Sequence, residues 1–405
     1  MKKKILYISD NINFVNGVQT VTKLQIEQLH EFYEIDIFSL IKPNENTKDK
    51  FEGTRIIGEE VWQMMAVFDD SFFSIMKSSQ YSLKQKLKRV IYVVSKRLKI
   101  NNDFVENSVE KAMKNQFDTY DIVVVLSEAS KIRRFVSSLN NIYKIQWIHT
   151  SYKDWSQLND WTKSVTAQDR EIYSSYDKIV TISNKNKLAF IKIFPEFASK
   201  TIAIWNMIPT DDILEKAKQP LMIKTDKKKT KLVTISRLER MKSLDRVIEV
   251  TTKLYQENYL FDWYIVGGGE YKIELEKKIS INKIDNQVIL LDHLDNPYPL
   301  LKNCDFLVLP SQYEGMPVVI HESMLLHVPV LATNVGGVSE QIENNYNGVI
   351  VDNNIKSLYL GVKELLDHSE LIKKYKKNLE EYRYNNTEII TQLRELFDID
   401  EGDKK

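Results

Sequence analysis

The chain has 405 residues, 43% apolar and 28% charged, with a net formal charge of +1. At about 150 residues per domain this length predicts two or three domains, and the near-zero charge argues against the whole chain being a nucleic-acid binder. The single cysteine, Cys304, excludes a disulfide framework and a Cys-based zinc site within one chain, and no apolar run reaches the roughly 18 residues of a transmembrane helix.

The chain opens on Met1-Lys2-Lys3-Lys4 followed by Ile5-Leu6-Tyr7-Ile8. That apolar stretch is too short for a signal peptide and is read as the first strand of a sheet. Ile5–Ser9 predicts a strand, Asp10–Gly17 a polar loop, Val18–His30 a helix and Ile35–Leu40 a returning strand. Gly17 stands where backbone could approach a ligand closely and expose N–H groups.

Residues 77–100 carry eight Lys and Arg, among them Lys84, Lys88 and Arg89, and no acidic residue. Leu83, Leu87, Val90, Ile91, Val94 and Leu98 recur there at helical spacing. A basic amphipathic helix of this kind suits an anionic membrane surface, at roughly 1 kcal/mol per basic residue near it. A surface helix packed on its own domain has the same pattern, and the residues leave both readings open. Further strands are predicted at Ile122–Leu126, Lys144–Ile148 and Lys178–Ile182. His149 follows the second of these, placed to hydrogen-bond a sugar hydroxyl or a reacting group.

Residues 208–230 hold Asp211, Asp212 and the start of a lysine-rich stretch, and are read as a solvated linker. The pattern then restarts. Leu232–Ile235 is a strand, Ser243–Tyr255 a helix, Trp263–Val266 a strand running into Gly267-Gly268-Gly269, and Glu270–Ile281 a helix. Strands follow at Val288–Leu291, at Phe306–Leu309 within an apolar run from Cys304, at Val328–Thr333 and at Val349–Val351. Two doubly wound α/β domains facing each other across a cleft are expected, spanning residues 1–207 and 231–380. A charged C-terminal helix in 381–405 is expected to pack back on the first domain.

Two clusters carry chemistry. In Ser236-Arg237-Leu238-Glu239-Arg240-Met241-Lys242, at a strand end, Arg237 supplies a planar fork of donors and Lys242 a point charge, which together suit a diphosphate. In Glu314-Gly315-Met316-Pro317-Val318, with Glu322 eight positions after the first carboxylate, an apolar strand delivers the chain to a turn. An apolar helix leaves that turn, with free N–H groups at its start. Gly267 and Gly268 follow another strand and are candidates to cradle phosphate, although the G-x-G-x-x-G spacing of a dinucleotide site is absent. No acidic pair at a strand end suits a divalent metal, so neither a metal nor another cofactor is expected.

Taken together, the order and spacing of these segments resemble the retaining glycosyltransferases of family 4, with their two-Rossmann GT-B architecture. The resemblance covers most of the chain and is strongest from Lys231 to Asp352. It rests on Glu314 and Glu322, Arg237 and Lys242, Gly267 and Gly268, Gly17 after Asn16, Ser183-Asn184 and Asn206. The resemblance implies that Arg237 and Lys242 bind the donor diphosphate. It implies that Glu322 holds the nucleotide ribose, and that the backbone of Gly315, Met316, Pro317 and Val318 holds the donor sugar and phosphate. Glu314 would stabilise charge near the anomeric carbon, and His149 would touch the sugar or assist the acceptor. The implied reaction is retaining transfer of a hexose or N-acetylhexosamine from a UDP-sugar to a lipid-linked glycan or cell-envelope polymer. It would take place in the cytoplasm, at the inner face of the plasma membrane where 77–100 touches it. The family often has glycine where this chain has Asn16, Ser236, Ser243, Met207 and His327. The alternative function is a non-catalytic GT-B partner that binds glycan or stabilises an active enzyme.

Overall fold

The computed structural model describes residues 2–13, 17–69, 76–77, 82–97, 103–226 and 228–398. Asn16, residues 78–81 and 98–100, and the last seven residues lie outside that set. Among the described residues the strands form two sheets, parallel throughout. The first contains β1 (Lys4–Ser9), β2 (Glu34–Ser39), β3 (Ile56–Ile57), β4 (Ile122–Val125), β5 (Tyr143–Ile148), β6 (Lys178–Thr181) and β7 (Thr201–Ala203), in the order β3-β2-β1-β4-β5-β6-β7. The second contains β8 (Thr230–Ile235), β9 (Phe261–Val266), β10 (Val288–Leu291), β11 (Phe306–Leu309), β12 (Val330–Thr333) and β13 (Gly348–Val351), in the order β10-β9-β8-β11-β12-β13. In each sheet the first strand lies between strands that run outward in opposite directions. The order therefore reverses beside β1 and beside β8, and the loops leaving those strands open a crevice.

Both faces of both sheets are covered, which is why the strands read as continuous apolar runs rather than alternating ones. Along β1, Ile5 and Tyr7 enter one core and Leu6 and Ile8 the other. Along β9, Phe261, Trp263 and Ile265 face one side and Tyr264 and Val266 the opposite one.

The helix Asn386–Phe397 buries Ile389, Leu393, Leu396 and Phe397, spaced for one helical face. They join the core of the first domain. Phe397 packs edge-on to Tyr33 at 5.6 Å, and the Tyr33 hydroxyl donates to Asp398 at 2.6 Å. The chain thus crosses from the second domain back to the first. Asn386 secures the crossing: its Nδ2 donates to the Ile208 carbonyl and its Oδ1 accepts from the Ile208 N–H.

Three sequence readings need correction. Residues 208–230 are not solvated throughout, because Thr210–Lys216 is a helix whose Ile213 is buried in the second domain's core with Ala217 just after it. Its exposed Asp211, Asp212 and Glu215 disguised that apolar face. The wider apolar run expected from Cys304 becomes strand only over the narrower expected span, Phe306–Leu309; Cys304 caps the helix Tyr298–Asn303 and is fully buried. Of the basic residues in 77–100, Arg89 is 9% exposed and does not belong to the outer surface.

Candidate functional site

The loops leaving β8 and β11 meet at the reversal of the second sheet. After β8, Arg240–Lys242 makes one 3₁₀ turn that ends on Ser243 in the left-handed region, φ 53°. This brings the Lys242 ammonium 2.8 Å from Glu314 Oε1, with the two side chains 18% and 10% exposed. Ser311 Oγ donates to the same carboxylate oxygen at 2.7 Å. Arg237 stays on the rim, its guanidinium paired with Glu239. The ammonium and the carboxylate are therefore held by fixed partners at the mouth of the crevice, while the guanidinium reaches it from solvent.

Gly267 and Gly268, which looked equivalent in sequence, do different work. Gly267 has φ +151°, and a Cβ there would stand 1.9 Å from the Ser236 carbonyl oxygen. It lets the loop after β9 pack directly on the loop carrying Arg237, and Gly269 does the same against Leu238. A Cβ on Gly268 would meet only His293 Cβ, at 3.8 Å. Gly267→Ala is accordingly expected to cost about 1–3 kcal/mol through strained backbone, while Gly268→Ala stays within about 0.5 kcal/mol. Thermal melts of the two variants compare them, and equal melting temperatures would contradict this assignment.

The helix Val318–Leu325 starts after Pro317 with no side-chain cap on its first N–H groups. Such an end attracts anions. One turn in, Glu322 accepts a hydrogen bond from the Tyr298 hydroxyl at 3.3 Å, and burial pushes its carboxyl up to about 7. Val318 and Glu322 line a cleft of about 520 Å³ with Arg237, Gly267, Gly268 and His293. The first domain contributes Gly17 and Thr20 to the same cleft. Gly17 opens the helix Gly17–Leu29, and a Cβ there would touch nothing within 4 Å.

A second set of contacts seats the Glu314 loop on the first domain. A Cβ on Gly315 would lie 1.9 Å from the His149 carbonyl oxygen, so the absence of a side chain permits the approach. Asn186 Nδ2 donates to the Gly315 carbonyl at 3.1 Å. Met316 inserts its side chain into the apolar core of the first domain, while within the second domain the Pro317 carbonyl accepts from Gln341 at 3.0 Å. Asn184 and Lys185, at the start of the helix Asn184–Ile193, donate their N–H groups to Glu340 of the second domain. His149 sits behind Gly315. Its Nε2 has no partner among the described residues, and burial lowers its pKa to about 4. It is a neutral imidazole, suited to a hydroxyl and unsuited to neutralising phosphate.

The structure therefore brings Gly17, Arg237, Gly267, Gly268, Val318 and Glu322 into one cleft. Lys242 and Glu314 form a pair at the reversal beside it, and His149, Gly315 and Met316 make the seam between domains. Sequence reasoning missed Ser311, Tyr298, Asn186 and Glu340. Ser311 stands three residues before Glu314 and was within reach of a closer reading. The other three depend on contacts between distant segments.

A sequence model described as glycosyl transferases group 1 matches residues 216–382. The chain is 22% identical over 391 residues to the poly(ribitol-phosphate) alpha-N-acetylglucosaminyltransferase of Staphylococcus aureus, covering 93% of this chain and 75% of that protein. It is 28% identical over 207 residues to the N-acetylgalactosamine-N,N'-diacetylbacillosaminyl-diphospho-undecaprenol 4-alpha-N-acetylgalactosaminyltransferase of Campylobacter jejuni, covering 51% of this chain and 55%, about half, of that protein. Among solved structures, Anabaena HepE in complex with UDP-glucose superimposes with a TM-score of 0.72 at 15% identity, over 97% of this chain and 99% of that one. At such identity the likeness is one of fold, and the fold is GT-B.

Proposed function

We propose that this GT-B glycosyltransferase moves a hexose or N-acetylhexosamine from a UDP-sugar, with retention, to a lipid-linked glycan or cell-envelope polymer. The observation that carries the reading is the Lys242–Glu314 pair at the reversal of the second sheet, beside the uncapped start of the helix Val318–Leu325. Cation, N–H groups and carboxylates supply what a diphosphate sugar needs at each of its parts. Lys242, Arg237 and the helix start neutralise the diphosphate. Glu322 accepts from ribose hydroxyls, and Glu314 faces the positive charge that grows at the anomeric carbon as the bond to phosphate stretches. His149 accepts a sugar hydroxyl without changing its charge. In front-face attack the departing phosphate oxygen takes the acceptor's proton, so no covalent enzyme intermediate is required and the two-carboxylate hydrolase geometry does not apply.

UDP as the nucleotide, and a glycan or polymer as the acceptor, accord with the names of the similar proteins. The assignment predicts that transfer proceeds in EDTA, and that proton NMR of the product taken before mutarotation finds the anomeric configuration of the donor. An inverted product, or activity abolished by the chelator, would overturn the mechanism.

A membrane-facing acceptor side is also part of the proposal. On the helix Leu83–Arg97, Leu83, Leu87 and Ile91 are 87%, 60% and 44% exposed, and Val90 and Val94 are exposed beside them. Lys84 lies in the open on the same helix. This apolar stripe with basic flanks suits insertion into an anionic interface. No helix among the described residues is long and apolar enough to cross a membrane. Lys84→Glu combined with Lys88→Glu is expected to weaken binding to phosphatidylglycerol vesicles by at least about tenfold in flotation assays. Undiminished binding would mean that the stripe serves another purpose.

A further inference from the structure

Glu128 lies in the loop that leaves β4 and is only 2% exposed. Both of its oxygens bond to one short stretch of a different loop. Oε2 accepts from the His149 N–H at 3.3 Å, and Oε1 accepts from the Thr150 hydroxyl. Neither donor is a cation. Carboxyls are seldom fully buried without a charged partner, because two neutral hydrogen bonds return only part of the free energy lost on leaving water. Burial raises the pKa of this carboxyl, while the bond from Thr150 lowers it. With its proton on or off, the group keeps an oxygen for the N–H and a partner for the hydroxyl.

Those two bonds hold the backbone on which the Glu314 turn sits. His149 and Thr150 follow the end of β5 and precede the helix Tyr152–Trp155. A Cβ on Gly315 would stand 1.9 Å from the His149 carbonyl oxygen. His149 thus has its backbone N–H on Glu128 and its carbonyl against Gly315, and Glu314 is the next residue along. The loop carrying Glu128 is itself pinned. Ser130 Oγ and the Lys131 N–H donate to Asp10, just past β1. Asp10 and Glu128 therefore tie the loops after β1, β4 and β5 into one rim at the carboxyl edge of the first sheet. A turn seated on such a rim is held in place by groups that touch no ligand.

We infer that Glu128 is a positioning residue: through the His149–Thr150 backbone it sets where the Gly315 turn rests on the first domain, and so where Glu314 stands. What position 128 supplies is hydrogen bonding rather than charge. The consequence for the reaction rate rests on the role proposed for Glu314; the seating of the turn does not.

The test compares two variants of the full-length protein. Glu128→Met fills the space without either bond. Glu128→Gln keeps an amide oxygen for the His149 N–H and an NH2 group that donates to Thr150 Oγ. The rate is the release of UDP from UDP-glucose and from UDP-N-acetylglucosamine. Glu128→Met should lower kcat by about tenfold to 10²-fold, as misplacing a catalytic group by about an ångström does, with donor KM little changed. Glu128→Gln should recover most of that rate. Thr150→Val should lower kcat severalfold, and combining it with Glu128→Met should add nothing, because both break one chain of contacts.

Hydrogen exchange read by mass spectrometry needs no donor. The Asn184 and Lys185 amides, bonded to Glu340 across the domains, should exchange faster in Glu128→Met and at the wild-type rate in Glu128→Gln. Faster exchange there, with no UDP released by the wild type, would uphold the positioning and count against the donor reading. A folded Glu128→Met with wild-type kcat and wild-type exchange would overturn the inference, as would a Glu128→Gln as impaired as Glu128→Met. If Glu128→Met does not fold, Thr150→Val carries both readings, and wild-type values for the two overturn it.

Discussion

Glu314→Gln is expected to stop transfer while leaving the fold in place. The carboxylate accepts from Lys242 at 2.8 Å and from Ser311 at 2.7 Å through one oxygen, Oε1. A glutamine carbonyl can accept both bonds in the same geometry, so the loop keeps its shape and its seat on His149 and Asn186. What disappears is the negative charge that the proposed function sets against the anomeric carbon. Removing one preorganised electrostatic partner of a transition state costs about 10²–10³-fold in kcat, and the loss here should be at least that large. The melting temperature should shift little and donor KM should change modestly, because a group acting on developing charge contributes more in the transition state than in the ground state. Near-normal turnover in a folded variant would remove Glu314 from the chemistry.

Lys242→Ala is expected to act on the donor instead. A hydrogen bond to a charged group is worth about 1.5–3 kcal/mol, which corresponds to roughly 10–150-fold in affinity. Its loss also leaves Glu314 unpaired and only 10% exposed, so the carboxylate would then repel an incoming diphosphate. Both effects raise donor KM. Arg237, on the rim and paired with Glu239, partly compensates at low salt, so the defect should deepen as ionic strength rises.

The two-domain architecture was legible because buried parallel strands are short apolar runs ending in polar turns, a pattern that repeats at β8, β9 and β11 with little ambiguity. The carboxylate pair was legible for a similar reason: Glu314, the turn and Glu322 are local in the chain, so spacing alone places them around a helix start. Legibility failed where one segment's role is set by another. Gly267 reads as a phosphate cradle until Ser236, far back in the chain, is found against it. Thr210–Lys216 reads as linker because its three acidic residues hide a single buried isoleucine. Met316 gives no sign in sequence that it belongs to the core of the other domain. Ser243 and His327, where the family that the sequence resembles often has glycine, fall at φ 53° and 59°, in the left-handed region where glycine is unstrained. His327 follows the helix Val318–Leu325, where its N–H bonds to the Met324 carbonyl and the next N–H to that of Ser323. This is the usual place for a glycine that ends a helix.

In the proposed function a nucleoside diphosphate sugar occupies the cleft between Gly17 and Glu322, with its diphosphate at Lys242. It is tested most directly by thermal shift with UDP, GDP, ADP and CDP and their sugars, in EDTA, on the wild type and Lys242→Ala. The account predicts stabilisation by UDP and a UDP-sugar that is largely lost in the variant, since a ligand raises the melting temperature in proportion to its affinity for the folded state. No shift with any nucleotide, or an equal shift in both proteins, would contradict it.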